Sequence, residues 1–82
     1  MAEHKTFTLT IAQVDTQLFR GDVVSATLPG NEGQMTIMAG HTPIISLLKE
    51  GIITVRHNEG EEQFEIKKGT LEVSGSHATV LV

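Results

Sequence analysis

The 82-residue chain has no cysteine, no tryptophan and no tyrosine. Without thiols there is no disulfide staple, no thiolate nucleophile and no cysteine-based zinc site, and a reducing compartment is compatible but not required. The chain has three phenylalanines, too few for the stacking platforms on which single-stranded nucleic acids are held. Basic side chains are also scarce. Six Lys and Arg against ten Asp and Glu leave a net charge of −4, the wrong sign for neutralising phosphates, so no nucleic-acid partner is expected. No stretch approaches the roughly 18 apolar residues of a membrane span. Residues 1–6 also lack the apolar core of an export signal.

What is present is alternation. Phe7 to Ile11 reads Phe-Thr-Leu-Thr-Ile, the period of two that marks a half-buried strand with β-branched threonines outward. Gln17 to Asp22 reads as a short apolar contact at Phe19 followed by a turn at Gly21, and Val23 to Leu28 alternates again before a turn at Pro29-Gly30-Asn31. Met35 and Ile37 mark a further strand, closed by Ala39-Gly40-His41-Thr42-Pro43, where proline removes a ladder donor and restricts Thr42. The apolar run Ile44 to Leu48 is too short for an independent helix and is taken as a strand. Two hairpins complete the chain, Ile52–Arg56 with Gln63–Lys67 and Thr70–Val73 with Ala78–Val82, with Phe64 and Ile66 facing in and Glu65 and Lys67 out. The spacing predicts an all-β fold, a small antiparallel β-sandwich of about 8–10 short strands with no helix. Residues 1–82 are one domain, with residues 1–6 as a flexible lead-in.

Little in the chain suggests chemistry. Ser25, Ser46, Ser74 and Ser76 lie in no nucleophile context, and no close-spaced histidine pair suggests a metal. His4, His57 and His77 sit in polar segments and are expected to be solvated tail or turn residues. Glu59, Glu61, Glu62 and Glu65 read as a solvated hairpin face rather than a calcium loop. Neither catalytic residues nor a cofactor is expected. Lys49, at a turn, leaves a second reading open: a stand-alone ligand-binding or carrier sandwich modified on one lysine.

One stretch goes further. Glu32-Gly33-Gln34-Met35-Thr36-Ile37, then Gly40-His41-Thr42-Pro43 and Lys49-Glu50-Gly51-Ile52, resembles the epsilon subunit of rotary F-type ATP synthases, as does the ending Lys68-Gly69-Thr70-Leu71-Glu72-Val73 and Ala78 to Val82. The resemblance runs from Phe7 to Val82, along that family's N-terminal β-sandwich. Ala39 stands where the family usually has proline, and Thr36 where it often has glycine, so a less rigid loop is expected ahead of His41.

The resemblance implies a non-catalytic central-stalk subunit that grips the gamma subunit, rests on the c-ring and helps couple proton or sodium transport to ATP synthesis. It places Asn31, Glu32, Gly33 and Gln34 against the c-ring, and Gln13, His41, Thr42 and Ser46 at or near gamma. At Glu32 an ordinary turn, and at His41 a ring satisfied within its own loop, are the competing readings. Ile44, Ile45, Leu47 and Leu48 are candidates for core or interface. The resemblance further implies a peripheral location on the cytoplasmic face of a bacterial plasma membrane, through the complex only, and no functional homo-oligomer. Most members continue into two C-terminal helices that inhibit hydrolysis. If the sequence is the whole natural product, no such inhibition is expected.

Overall fold

The computed structural model describes residues 5–82, so the expectation of a flexible lead-in falls largely on residues outside those described. Nine strands follow one another: β1 (Phe7–Ala12), β2 (Gln17–Val23), β3 (Ser25–Gly30), β4 (Gly33–Met38), β5 (Ile44–Leu48), β6 (Gly51–His57), β7 (Gly60–Ile66), β8 (Gly69–Ser74) and β9 (His77–Leu81). The all-β expectation holds, and the strand count falls in the expected range.

The strands form two layers, β2-β1-β9-β8-β5 and β4-β3-β6-β7, joined where Gly30 of β3 pairs with Leu48 of β5. Chain continuity makes the corners. β2 passes into β3 across Val24, and β5 passes into β6 across Lys49–Glu50. At the second corner the Lys49 N–H donates to the Pro29 carbonyl at 2.9 Å. A Cβ on Gly51 would lie 2.8 Å from the Pro29 Cβ, so only glycine lets the two backbones cross this closely.

Three sequence expectations are corrected. Gly21 is not a turn but lies within β2, opposite Leu9, where the alternation of β1 imposes a pairing partner. Pro29 and Gly30 belong to β3, and the turn narrows to Asn31–Glu32, because the β3–β4 register holds as far as Gly30 opposite Gly33. The sandwich is not wholly antiparallel. β1 and β9 run parallel from Thr8 opposite His77 to Ala12 opposite Leu81, since the β8–β9 hairpin returns the chain alongside a strand laid down at its start.

The core is aliphatic but for Phe7, in keeping with the scarcity of aromatics. Leu9, Ile11, Leu28, Ile53, Val55, Leu71 and Val80 are wholly buried, each at an inward position of its strand. Among them, burial of each Leu, Ile or Val side chain contributes about 1.5–3 kcal/mol. The outer surfaces carry threonines, including a Thr27–Thr36 hydroxyl pair at 3.2 Å across β3 and β4.

Candidate protein interface

The run Ile44 to Leu48 is uniformly apolar except at Ser46, yet the pleat divides it. Ile44 and Leu48 turn inward, and Leu48 is buried. Ile45 and Leu47 turn outward and stay 75% and 63% exposed. Opposite them on β8 stand Glu72 and Thr70, and beyond Thr70 on β9 lies the exposed Leu81. The outer face of the five-stranded layer therefore carries an apolar stripe at its β5 edge. Scattered exposed apolar residues are ordinary, whereas neighbouring ones beside a hollow make a candidate contact surface.

The β3–β4 hairpin builds the other wall of that hollow. Its tip, Asn31–Glu32, folds toward β5, where the Asn31 N–H donates to the Leu47 carbonyl at 2.8 Å. Gly33 sits at φ 139°, a backbone region side chains avoid, and a Cβ on Gly30 would lie 2.6 Å from the Gly33 carbonyl oxygen. Both glycines are thus required by the tight return of the chain. The resulting hollow, about 450 Å³ in volume, is lined by Asn31, Glu32, Gly33, Gln34, Ser46 and Leu47 among others. Glu32 is exposed at its rim.

The structure divides the eight residues singled out in the sequence. It brings Asn31, Glu32, Gly33 and Gln34 together with Ser46 around one hollow, so Ser46 lies beside the hairpin and not apart from it. Gln13 opens the β1–β2 turn, donating to the Thr16 carbonyl at 2.7 Å. It follows Ala12, at the end of the layer where Leu81 and Leu48 also lie. His41 and Thr42 precede Ile44, at the opposite end of β5. The His41 ring is held in its own loop, Nδ1–H donating to the Thr42 carbonyl at 2.6 Å. Because a carbonyl only accepts, that bond places a proton on Nδ1 and holds the ring against its own loop. Among the described residues, no group of three or more His, Cys, Asp or Glu could hold a metal ion.

Two features escaped the sequence reading. Val14, at the centre of the Gln13–Thr16 turn, is 95% exposed, and its signal was an apolar residue in a turn of otherwise polar ones. His57 is not a solvated turn residue but half-buried, stacked on Phe19 with centroids 6.4 Å apart and planes 15° from parallel. Phe19 in turn meets Phe64 edge-on at 5.8 Å. His57 Nδ1 accepts from the Glu59 N–H at 3.2 Å, and Nε2–H donates to Glu62 at 2.9 Å. The cluster closes the side of the sandwich where β2 meets β6 and β7 without a backbone ladder.

Fold and surface together define a small two-layered sandwich with an exposed apolar stripe beside a polar-lined hollow at one edge. Its residues 6–82 match the family described as "ATP synthase, Delta/Epsilon chain, beta-sandwich domain", and the chain belongs to that family. Among solved structures it is similar to a chain of the Euglena gracilis mitochondrial ATP synthase, in a structure of OSCP, F1 and c-ring. The identity is 26% and the TM-score 0.87, covering 94% of this chain and 50% of that one. It shares its fold with a chain of the Tetrahymena thermophila mitochondrial ATP synthase, from a structure of the central stalk and c-ring. There the identity is 15% and the TM-score 0.81, over 99% of this chain and 66% of that one. The chain thus spans between half and two thirds of the length of these two relatives.

Proposed function

We propose that this chain is a non-catalytic rotor subunit of a rotary ATP synthase, joining the gamma subunit to the c-ring so that ion transport and ATP synthesis stay coupled. The observation that carries it is the outward-facing pair Ile45 and Leu47 beside the Asn31–Glu32 tip, on a chain of the delta/epsilon family. A joint that turns as one body must resist shear, and protein interfaces do so by packed area around a few apolar anchors with directional polar contacts at the rim. Asn31, Glu32, Gly33 and Gln34 present such polar groups and are assigned to the c-ring. Gln13, His41, Thr42 and Ser46 are assigned to gamma, which makes that contact long, since Gln13 and His41 lie at opposite ends of one layer. The location that follows is peripheral, on the face of the membrane that carries the catalytic head, reached through the complex.

The carrier reading is less well supported by the geometry. Lys49 stands at the bend between β5 and β6, its backbone tied to Pro29, and not at the tip of a projecting hairpin. A tagged copy expressed in its own host tests the proposal. It should stay with the membranes and, after solubilisation, co-isolate with gamma and c subunits at the mass of the unmodified chain. Recovery without either subunit, or with an added group on Lys49, contradicts it.

A further inference from the structure

Among the described residues, His41 and His57 both meet the backbone through Nδ1, and their partners are opposite in kind. His41 faces the Thr42 carbonyl, an acceptor. A second proton on that ring goes to Nε2 and leaves the bond in place. His57 faces the Glu59 N–H, a donor, at 3.2 Å. Its Nδ1 therefore keeps its lone pair, so the ring is neutral and carries its proton on Nε2, 2.9 Å from a Glu62 carboxylate oxygen. A protonated His57 would set two donors against each other at Nδ1.

The ring is held on its other sides. Phe19 of β2 stacks on it with planes 15° from parallel, and its side chain is only 20% exposed. His57 also forms the last pair of the β6–β7 ladder, opposite Gly60, so its bond to Glu59 spans the turn Asn58–Glu59. Charged groups reach the ring from every element around it. Arg20 and Asp22 of β2, Glu59 of the turn and Glu62 of β7 line one hollow with it. Arg56, its neighbour on β6, is paired with Glu61 at 3.8 Å. A positive ring changes two of its bonds in opposite directions. The bond to Glu62 becomes charge-assisted and stronger, whereas the Glu59 N–H loses its acceptor and turns to water.

We infer that protonation of His57 releases the β6–β7 turn: the imidazolium stays clasped between Phe19 and Glu62 while the Glu59 N–H is let go. The acid-sensitive part is the turn alone, and the tie between β2 and β7 holds through the titration. This turn lies at the same end of the sandwich as the loop of His41 and Thr42, because Ser25 pairs with both Arg56 and Met38. Acid thus alters the surface at that end without opening the fold. The inference stands apart from the rotor reading, since it needs no partner.

Magnetic resonance of the nitrogen-15-labelled chain, with pH lowered across the histidine titrations, tests it. At neutral pH the His57 ring should carry its proton on Nε2 and show a coupling through the hydrogen bond between Nδ1 and the Glu59 amide nitrogen. On acidification that coupling should vanish and the Glu59 amide proton should shift upfield with the midpoint of the His57 ring. Proximity signals between the His57 and Phe19 rings should persist throughout. In His57→Gln, whose side chain does not titrate, the Glu59 amide should lose that step; the wild-type titration decides the matter by itself if this variant does not fold. A proton on Nδ1 at neutral pH, a Glu59 amide that ignores the ring or follows the carboxylates instead, or loss of the Phe19 contact overturns the inference.

Discussion

Phe19 shows how much one residue does in a chain with so few aromatics. It stacks on His57 and meets Phe64, tying β2 to β6 and β7 where no ladder joins them. Phe19→Ala removes both ring contacts and part of the buried area. It should lower stability by about 1–3 kcal/mol in urea unfolding, below a fully buried phenylalanine because Phe19 is only half-buried. Leu18→Ala, one residue away and facing outward, should stay within about 0.5 kcal/mol. The sequence placed Phe19 in an apolar contact but set His57 among solvated residues. Its neighbours Asn58, Glu59 and Gly60 are all polar or glycine, and nothing local announces a ring arriving from β2. Ring stacking between strands far apart in the chain is a tertiary fact, and composition near a residue does not encode it.

At the level of elements, β5 separates packing from contact within five residues. Leu48→Ala should cost about 2–5 kcal/mol because it empties a core position. Leu47→Ser should leave unfolding within about 0.5 kcal/mol while weakening association with partners, the signature of a contact residue and not a core one. Period-two reading identified β1 outright because threonines mark its outer face. It failed to assign faces in β5, where apolar residues occupy both, and only the register with β8 and the turn of β3 decide which side is exposed. The β3–β4 turn was legible to within two residues. The early end expected for β3 came from treating proline and glycine as punctuation, while the structure uses both inside the strand, at the corner where β3 passes β5. Gly30→Ala should be destabilising by about 1–3 kcal/mol by calorimetric melting, since its Cβ would meet backbone that has no room to yield.

Across the whole molecule, the count and type of strands were readable and their order was not. Alternation reports which residues are half-buried, but the neighbour of each strand depends on which edges remain open once the rest has folded. The parallel pairing of β1 with β9 is the clearest case, joining the start of the domain to its last strand. It also makes β9 a closing element, because β1 and β8 flank it on both sides. A chain ending at Gly75 should therefore show no cooperative unfolding transition by circular dichroism, with two strand edges opened in the middle of a layer. The candidate surface was legible in part. The hairpin tip and its flanking glycines are local, while the outward Ile45 and Leu47 that complete the hollow needed the fold.

The central claim, that this sandwich works by docking on a stalk partner through a surface that includes the outward face of β5, is tested most directly by titrating the purified chain into its cognate gamma subunit in a calorimeter. A one-to-one complex, weakened about tenfold or more by Leu47→Ser at unchanged stability, is the predicted result. No binding, or binding indifferent to Leu47, would contradict it.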